Sequence, residues 1–290
     1  MSQENLVIDA RQQTLAPADL RLPSHAPTLR AAAKITAVIP AKNEEQNLPY
    51  VLEGITDWVH EVILVDGHST DRTVEVARKL CPEIRVVSQQ GRGKGDALCC
   101  GFEAATGDII VMLDADGSTD PAEIPAFVGA LLSGADFVKG SRFAQGGGTA
   151  DMPLYRKLGN WAFVLMVRLF FGGGYTDLCY GYNAFWKRVL PELKLDGAGF
   201  EIETMMNVRA LRAGLRIAEV PSYEYRRIFG SSNLRTIPDG FRVLRTIFQE
   251  ILKKRQRGLE RESSLLKRRL QRELQGMTTW VEETSELAGD

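Results

Sequence analysis

The sequence predicts an α/β protein whose mostly parallel β-sheet is flanked by helices. From Ile35 onward, short runs rich in β-branched residues alternate with amphipathic segments of about 10–15 residues, which is the pattern of βαβ units. The chain has 290 residues, of which 44% are hydrophobic. It is therefore long and apolar enough to bury a full core.

The alternation predicts five strands and four helices in the first half of the chain. Ile35–Pro40 is a continuous apolar run ended by proline, which indicates a buried strand, and Asn47–Val59 has apolar residues at helical spacing. The same two patterns recur in order. Further strands are predicted at Glu61–Asp66, Ile84–Ser88, Ile109–Leu113 and Asp136–Gly140, and further helices at Asp71–Leu80, Asp96–Ala105 and Pro121–Leu132.

The alternation loosens after residues 146–148, which are three glycines. Helices are predicted at Tyr155–Phe171 and Ile202–Ala213, a strand at Leu215–Val220 and a long helix from Ile237, while Asp177–Lys187 has a mixed pattern. We therefore divide the chain into a disordered, proline-containing lead-in (residues 1–34), an α/β domain (35–236) and a basic helical extension with an acidic tail (237–290).

Composition points to a cytoplasmic protein without a membrane span. The four cysteines have neither disulfide nor metal-ligand spacing, so we expect reduced thiols. The first residues lack the charged start and apolar run of a signal peptide. The longest apolar stretch, Trp161–Phe171, is shorter than the ~20 residues that a span needs. The three histidines are scattered, which argues against a multi-histidine metal centre.

Acidic residues follow three of the predicted strands, at the sheet edge where parallel α/β proteins carry their sites. Asp114 and Asp116 come directly after a buried strand, and two carboxylates at this spacing can both ligate one divalent cation. Such an ion would act as a Lewis acid on a leaving diphosphate. The alternative for this pair is a solvated turn, or a cap for the helix that begins at Pro121. Asp66 ends the second strand, where it can accept hydrogen bonds from a base or ribose.

The segment Gly91-Arg-Gly-Lys-Gly95 precedes a predicted helix. Backbone amides at a helix start, together with the cations Arg92 and Lys94, suit a phosphate group. The spacing fits neither a Walker loop nor a dinucleotide fingerprint. Taken alone, the segment is equally a flexible surface turn.

The ordered series PAKNEE, VDGHSTDRT, GRGKGDAL, DADGSTDP and KGSRF resembles the family 2 glycosyltransferases. The resemblance implies a GT-A fold, an inverting mechanism, a nucleotide diphosphate sugar as donor, and Mg²⁺ or Mn²⁺. It implies that Pro40, Glu44 and Asp66 hold the nucleoside. It also implies that Asp114 and Asp116 hold the diphosphate and the metal. Many relatives have a second acidic residue where Gly67 stands, so the sequence leaves uridine and guanosine both open.

Within that family, the chain most resembles the polyprenyl-phosphate sugar transferases. The matching segments lie around Gly140–Arg142, Asp177–Arg188, Gly199–Glu203 and Ile217–Ser232. The resemblance implies that Arg142, Arg156 and Arg227 (or Arg226) grip an acceptor phosphate, which is reasonable because arginine forks match phosphate oxygens. Some polyprenyl-phosphate enzymes are peripheral, so the lack of a predicted span is compatible with a cytoplasmic enzyme on the inner face of the membrane.

The acceptor decides whether a catalytic base is needed. A phosphate monoester is anionic near pH 7, whereas a hydroxyl needs a base within hydrogen-bond reach. The candidates for a base are Asp177, Glu201 and Glu203, alongside Asp116 at the metal. Sugar transfer to a soluble hydroxyl acceptor is therefore the alternative function. A nucleotidyltransferase is a weaker third, because Pro40–Glu44 is not a glycine-rich loop.

Two helices allow more than one partner. Tyr155–Phe171 fits either a core helix or an interfacial helix on lipid. The extension has eleven lysines and arginines between Arg242 and Arg272 against three glutamates, so it fits an anionic membrane surface, the domain itself or a second subunit in a homodimer. No nucleic-acid partner is expected, because binding of nucleic acid would draw on this basic extension alone.

Overall fold

The computed structural model describes residues 33–57, 59–231, 234–254 and 256. The chain divides into two units, Met1–Ala33 and Lys34–Asp290, and the elements below belong to the second. Most of the predicted lead-in and all of the predicted acidic tail lie outside the described residues. Both therefore stay predictions.

The first half of the domain alternates strands and helices in the predicted order. Its elements are β1 (Ile35–Ala41), α1 (Leu48–Glu53), β2 (Glu61–Asp66), α2 (Thr73–Leu80), β3 (Arg85–Ser88), α3 (Lys94–Ala104), β4 (Ile109–Met112), α4 (Ile124–Leu132) and β5 (Phe137–Ser141). Helix α1 is much shorter than the predicted Asn47–Val59. It ends at Gly54, a residue type that disfavours continuation of a helix.

The second half adds short strands and longer helices. Its elements are β6 (Gly148–Thr149), α5 (Leu154–Phe171), β7 (Asn183–Trp186), α6 (Leu190–Leu193), α7 (Glu201–Arg212), β8 (Ile217–Pro221) and β9 (Tyr223–Glu224). A last helix, α8, covers residues 236–254. Strand β7 lies inside the segment whose sequence pattern was mixed.

The main sheet has seven strands in the order β3-β2-β1-β4-β7-β5-β8. All neighbouring pairs are parallel except those that β7 makes with β4 and β5, which are antiparallel. The prediction of a mostly parallel sheet is confirmed. Because β1 pairs in parallel with both β2 and β4, the loops that follow these three strands meet at one edge of the sheet.

Among the residues that the structure describes, two clusters of buried side chains pack the helices onto the sheet and onto each other. The first fills the space between the sheet and helices α3 and α7, where Phe185 stacks on Phe137 and meets Phe102 edge to face. The second joins α5, α7 and α8, with Val167 and Ile247 fully buried in it. Helix α8 therefore packs on the domain through one of its faces.

Ion pairs reinforce the contact between α7 and α8. The Glu250 side chain is 1% exposed, and it accepts hydrogen bonds from Arg209 and Arg212 of α7. A buried carboxylate needs such partners, because its desolvation is costly without them. In the part of the chain that the structure describes, none of the helices is long and apolar enough to cross a bilayer.

Candidate active site

The loops at the carboxyl edge of the sheet enclose a cleft of about 930 Å³. Six of the seven predicted donor residues line it: Pro40, Glu44, Arg92, Lys94, Asp114 and Asp116. They come from three separate segments: the end of β1 and the loop after it, the loop before α3 with the first residue of α3, and the loop after β4. The fold thus brings together residues that lie up to 76 positions apart in the sequence (from 40 to 116).

Asp66 is the predicted donor residue that the cleft lining does not include. Its Oδ1 atom accepts a hydrogen bond from the Ser69 amide at 3.2 Å, which fixes the turn after β2. The next two residues, Gly67 and His68, face the cleft instead. An Asp side chain readily bonds backbone amides a few residues ahead of it, and this local bond aims the carboxylate along the turn.

The loops after β1 and β2, which contribute Glu44 and Gly67 to the cleft lining, are hydrogen-bonded to each other. The amide of Glu44 donates to Thr73 Oγ1 at 2.9 Å, and that of Glu45 donates to Asp71 Oδ2 at 3.1 Å. In the opposite direction, the Thr70 amide donates to Asn43 Oδ1 at 2.8 Å. These bonds satisfy backbone groups that no strand or helix partners, so they hold both loops in place.

The glycine-rich segment before α3 lies against residues 197–199. A Cβ atom on Gly93 or Gly95 would overlap the carbonyl groups of Ala198 and Gly197, and the Gly95 amide donates to Ala198 O at 2.9 Å. The two glycines are therefore required by close backbone packing. That packing places Arg92 and Lys94 on the cleft wall.

Lys94 joins the donor cleft to a second set of residues. Its Nζ atom lies 2.6 Å from Asp114 Oδ1 and 2.6 Å from Glu203 Oε1. Burial raises the pKa of Glu203 above its ordinary value, although Lys94 opposes this shift. Burial alone would lower the pKa of Lys94, but the charges of Asp114 and Glu203 outweigh it and raise that pKa. Lys94 is therefore a cation throughout the ordinary pH range.

Arg227 covers the acidic side of the cleft. Its guanidinium makes two hydrogen bonds of 2.9 Å to the two carboxylate oxygens of Glu44 and lies 3.3 Å from Asp116 Oδ2. Two hydrogen bonds between Phe229 and Asn47 fix the loop that carries Arg227. The backbone amide of Phe229 donates to Asn47 Oδ1 at 2.9 Å, and the side-chain amide of Asn47 donates to Phe229 O at 3.1 Å. Arg227 was predicted to bind the acceptor, and the structure places it against donor-side carboxylates as well.

The carboxylates of Asp114 and Asp116 are of the type that binds a divalent cation together with phosphate oxygens. Among the described residues there is no group of three or more acidic, histidine or cysteine side chains of the kind that holds a metal alone. Mg²⁺ is commonly bound by one or two carboxylates, with the remaining oxygens supplied by phosphates and water. Both aspartate side chains are partly exposed to the cleft, at 24% and 21%. Two carboxylates that share a cleft with the cations Arg92 and Lys94 suit a metal diphosphate.

A second pocket, of about 260 Å³, adjoins the cleft. Five residues line both spaces and so form a shared wall: Lys94, Asp114, Asp116, Phe200 and Arg227. The three predicted acceptor arginines, Arg142, Arg156 and Arg227, all line this second pocket, together with residues of α5 and α8. The structure thus brings the predicted acceptor residues to one place, next to the predicted metal ligands.

The three arginines differ in how their charge is balanced. Arg142 is almost fully buried and makes ion pairs with Asp177 at 2.7 Å and with Glu224 at 3.0 Å. Arg156 donates from Nε to Thr236 Oγ1 at 3.2 Å. Among the described residues, no carboxylate oxygen lies within 4.0 Å of its guanidinium nitrogens. Of the arginines that line this pocket, Arg156 is therefore the one whose charge no described carboxylate balances.

The three candidate bases do not converge on one point. Asp177 is fully buried, and it is absent from the lining of both spaces. Burial alone would raise its pKa, but the Arg142 guanidinium outweighs this and holds the pKa of Asp177 below its ordinary value. Glu201 lies outside both linings too, and its Oε1 accepts from the Gly199 amide at 2.9 Å. Only Glu203, of these three, lines the second pocket.

Sequence reasoning missed two residues of this region. Phe200 belongs to the shared wall, and its ring centroid lies 5.8 Å from Lys94 Nζ. Gly181 lies directly against Lys94, Asp114 and Glu203. The aromatic residue before the Glu-Ile-Glu sequence was a possible signal for the first. No local pattern marks Gly181, because its importance comes from residues far away in the chain.

This fold is the GT-A fold of glycosyltransferases. Residues 36–193 match the family described as "Glycosyl transferase family 2". That match covers more than half of the chain, and the chain therefore belongs to glycosyl transferase family 2. Membership decides against the nucleotidyltransferase alternative.

Similar proteins include two polyprenyl-phosphate mannosyltransferases and a glucosyl-3-phosphoglycerate synthase. An undecaprenyl-phosphate mannosyltransferase from Micrococcus luteus is 34% identical over 69% of this chain and 87% of its own. A dolichol-phosphate mannosyltransferase from Pyrococcus furiosus is 31% identical over 74% of this chain, which spans 63% of that protein. The crystal structure of glucosyl-3-phosphoglycerate synthase from Mycobacterium tuberculosis, in complex with Mn²⁺, UDP and glucosyl-3-phosphoglycerate, superposes with a TM-score of 0.61 and 26% identity, covering 77% of this chain and 81% of that one.

Proposed function

We propose that this chain is an inverting hexosyltransferase that moves a hexose from a UDP- or GDP-sugar to a polyprenyl phosphate, on the inner face of a membrane. The observation that carries the proposal is the wall shared by the donor cleft and the second pocket. A sugar whose diphosphate lies at Asp114 and Asp116 reaches that wall from one side. An acceptor held by Arg156 reaches it from the other.

On the donor side, charge decides the orientation. The cations Arg92 and Lys94 and the two aspartates mark the diphosphate end of the cleft. The nucleoside then extends toward Pro40 and Gly67, where a Cβ atom on Gly67 would lie 3.1–3.3 Å from its neighbours. When Mg²⁺ or Mn²⁺ is bound, it neutralises the charge that develops on the leaving diphosphate.

On the acceptor side, a phosphate removes the need for a protein base. An acceptor phosphate oxygen is already anionic near pH 7, so it can form its bond to the anomeric carbon as the bond to the nucleoside diphosphate breaks. Attack from the side opposite the leaving group inverts the anomeric centre. This agrees with the surroundings of Asp177 and Glu203, whose carboxylates are held by Arg142 and Lys94. Asp116 acts at the metal, not as a base.

A membrane docking surface follows from the outer faces of α5 and α8. We call it the apolar face, and its members are large hydrophobic side chains that are 42–73% exposed: Leu154, Tyr155, Leu158, Trp161, Leu165, Leu169 and Phe170 of α5, and Ile237, Phe241, Phe248 and Leu252 of α8. The same helices carry exposed cations, among them Lys157, Arg168, Arg242 and Arg245. Apolar residues flanked by lysine and arginine are typical of helices that lie on anionic lipid. Both helices also line the acceptor pocket, so a polyprenyl chain could remain in the bilayer while its phosphate enters the site.

A second candidate is the same donor chemistry on a soluble acceptor. The similarity to glucosyl-3-phosphoglycerate synthase supports it, because that enzyme is named for a soluble phosphorylated product. The pocket arginines of the present chain would recognise a phosphate on either kind of molecule. A soluble acceptor leaves the apolar face unexplained, and we therefore favour the lipid.

A transfer assay separates these functions. The full chain is incubated with radiolabelled UDP- and GDP-hexoses, with Mn²⁺ or Mg²⁺, and with vesicles that contain or lack undecaprenyl phosphate; parallel reactions contain 3-phosphoglycerate. We expect label to move into the lipid fraction only when undecaprenyl phosphate and one nucleotide sugar are both present. Label in 3-phosphoglycerate alone would establish the second candidate, and transfer to neither acceptor would reject both.

A further inference from the structure

Lys94, Asp114 and Glu203 form a compact trio in which one cation is shared by two carboxylates. Both contacts of the ammonium are 2.6 Å long, and the exposed fractions of the Lys94 and Glu203 side chains are 14% and 6%. Asp114 is the most exposed of the three, at 24%. The trio thus has an inner carboxylate, a cation and an outer carboxylate that faces the donor cleft.

Gly181 provides the space for this arrangement. A Cβ atom added there would lie 2.8 Å from Asp114 Oδ2, 2.8 Å from Lys94 Nζ and 3.1 Å from Glu203 Oε1. Gly181 lies two residues before strand β7, the antiparallel strand inserted between β4 and β5. The residue types at all four positions are therefore mutually dependent, although they come from four separate segments.

The two carboxylates have different tasks once a donor arrives. In the proposed donor complex, Asp114 would bind the divalent cation. A carboxylate that binds a metal ion no longer fully balances the charge of Lys94. A buried ammonium without a partner is strongly disfavoured. Glu203 keeps a partner on Lys94 at that moment, and its side chain is only 6% exposed.

We infer that Glu203 is a positioning residue that acts through Lys94: it anchors the ammonium beside the diphosphate while Asp114 turns to the metal. The inference rests on the proposed function, because it assumes a nucleoside diphosphate and a divalent cation in the cleft. It differs from the role of general base for Glu203, which would need a carboxylate oxygen in contact with the acceptor, whereas Glu203 Oε1 contacts Lys94.

A double-mutant cycle tests whether Glu203 acts through Lys94. Dissociation constants of UDP, GDP and inorganic pyrophosphate are measured by calorimetry, with and without Mn²⁺, for the full wild-type chain and for Glu203→Gln, Lys94→Met and the double variant. We expect Glu203→Gln to weaken the Mn²⁺-dependent binding of pyrophosphate and of the preferred nucleotide at least about tenfold. We expect it to add nothing once Lys94 is replaced, since residues that act through one contact are not additive.

Three variants guard against a simple loss of folding. Glu203→Asp keeps the charge and should restore part of the pyrophosphate affinity, whereas Gly181→Ala should reproduce the loss by displacing the trio. Glu103→Gln makes the same charge change on the exposed surface of α3 and should leave every dissociation constant unchanged. Melting temperatures of all variants show which of them fold.

The outcomes separate this inference from the proposed function. Wild-type protein that binds neither UDP nor GDP with Mn²⁺ would reject both. Normal binding by Glu203→Gln, combined with a fall in kcat and loss of the acidic limb of the pH–rate profile, would overturn the inference in favour of a general base. Effects of Glu203→Gln and Lys94→Met that multiply in the double variant would overturn it as well.

Discussion

At the scale of single residues, Arg142 and Asp177 show how a pair of charged groups can belong to the framework of a site. Their guanidinium and carboxylate are joined by two hydrogen bonds, of 2.7 and 2.9 Å. The side chains are 4% and 0% exposed. Arg142 also contacts the ring of Tyr180, with its central carbon 4.8 Å from the ring centroid. Arg142 lines the proposed acceptor pocket, and Asp177 balances its charge without lining the pocket itself.

The first prediction concerns the pH dependence of stability. The pKa of Asp177 is lower in the folded protein than its ordinary value, so the carboxylate contributes stability that is fully present above the unfolded pKa of about 3.9 and is lost as pH falls through the folded value. Asp177→Asn should lower the free energy of unfolding at pH 7 by about 3–5 kcal/mol, because it leaves a buried guanidinium short of its main partner. Urea unfolding measures this.

The same unfolding curves, recorded at decreasing pH, provide the check. The difference between wild type and Asp177→Asn should shrink below about pH 4, where the wild-type carboxylate begins to take up a proton in the unfolded chain. If the difference in unfolding free energy stays constant down to the lowest pH at which both proteins fold, Asp177 does not have a lowered pKa in the folded protein.

The second prediction concerns Asp116. Asp116→Asn preserves the shape of the side chain and its hydrogen bond from the Ser118 amide, which is 3.0 Å long, so the melting temperature should stay close to that of wild type. Turnover with Mn²⁺ should fall by more than the ~10–100-fold that loss of an outer-shell partner of a metal costs. Asp120→Asn is the matched control, because it makes the same change four residues later at a helix cap, where asparagine serves equally well. Full activity of Asp116→Asn, or wild-type activity that a chelator leaves intact, would show that Asp116 does not bind a catalytic metal.

At the scale of elements, helix α3 carries Lys94 and must pack closely on the sheet to place it. Gly101 makes this possible: a Cβ atom there would lie 2.9 Å from Val65 Cγ2 and would overlap Val38 even more closely. Helix α4 contains a glycine in the opposite situation. Gly129 is exposed, and an added Cβ would have no atom within 4 Å.

The third prediction is that the same substitution has opposite effects in these two helices. Gly101→Ala should destabilise the protein by about 1–3 kcal/mol, because overpacking against two core valines outweighs the better helix propensity of alanine. Gly129→Ala should be neutral or stabilise by up to about 1 kcal/mol. Thermal and urea unfolding of both variants give the comparison, and a gain in stability from Gly101→Ala would show that α3 can shift away from the sheet.

At the scale of the whole molecule, the apolar face is the feature that a soluble enzyme would not need. Its side chains lie on the outside of α5 and α8, while Val167 and Ile247 on the inside of the same helices are fully buried. Each helix is apolar on its outer side as well as on its inner side, so we expect the outer side to contact lipid or another protein surface. The predicted homodimer would also cover such a face, and it stays a prediction.

The fourth prediction is that this face binds anionic vesicles. Leu158→Ser combined with Leu169→Ser should reduce co-sedimentation with phosphatidylglycerol vesicles at least about tenfold, because burial of a leucine side chain contributes about 1.5–3 kcal/mol. Leu80→Ser combined with Leu132→Ser removes two exposed leucines from α2 and α4 and should leave binding unchanged. Binding should weaken as salt increases, since the flanking cations are screened. Equal binding by both double variants would contradict the membrane role, and a dimer that dissociates in the first variant would assign the face to a second copy.

Much of the site was accessible from sequence because its residues sit in short motifs next to strong strand patterns. Asp114 and Asp116 follow an apolar run, so their position at the sheet edge could be predicted without knowing the order of strands. The same holds for Pro40 and Glu44. The orientation of the Asp66 side chain was harder to predict. Its carboxylate accepts a hydrogen bond from the Ser69 amide, and no sequence pattern shows that it does so.

The sequence by itself determined the alternation of strands and helices, the family, and the set of charged residues available to the site. The tertiary structure alone decided their partners. Asp177 looked like a possible base until the fold placed Arg142 against it, 35 positions away, and Glu203 lies on Lys94 across 109 positions. The antiparallel insertion of β7 between β4 and β5, which brings Gly181 to that trio, was equally hidden. The reason is physical: local patterns report the burial and periodicity of single elements, whereas the state of a charge depends on which distant group the packed chain brings within hydrogen-bond distance.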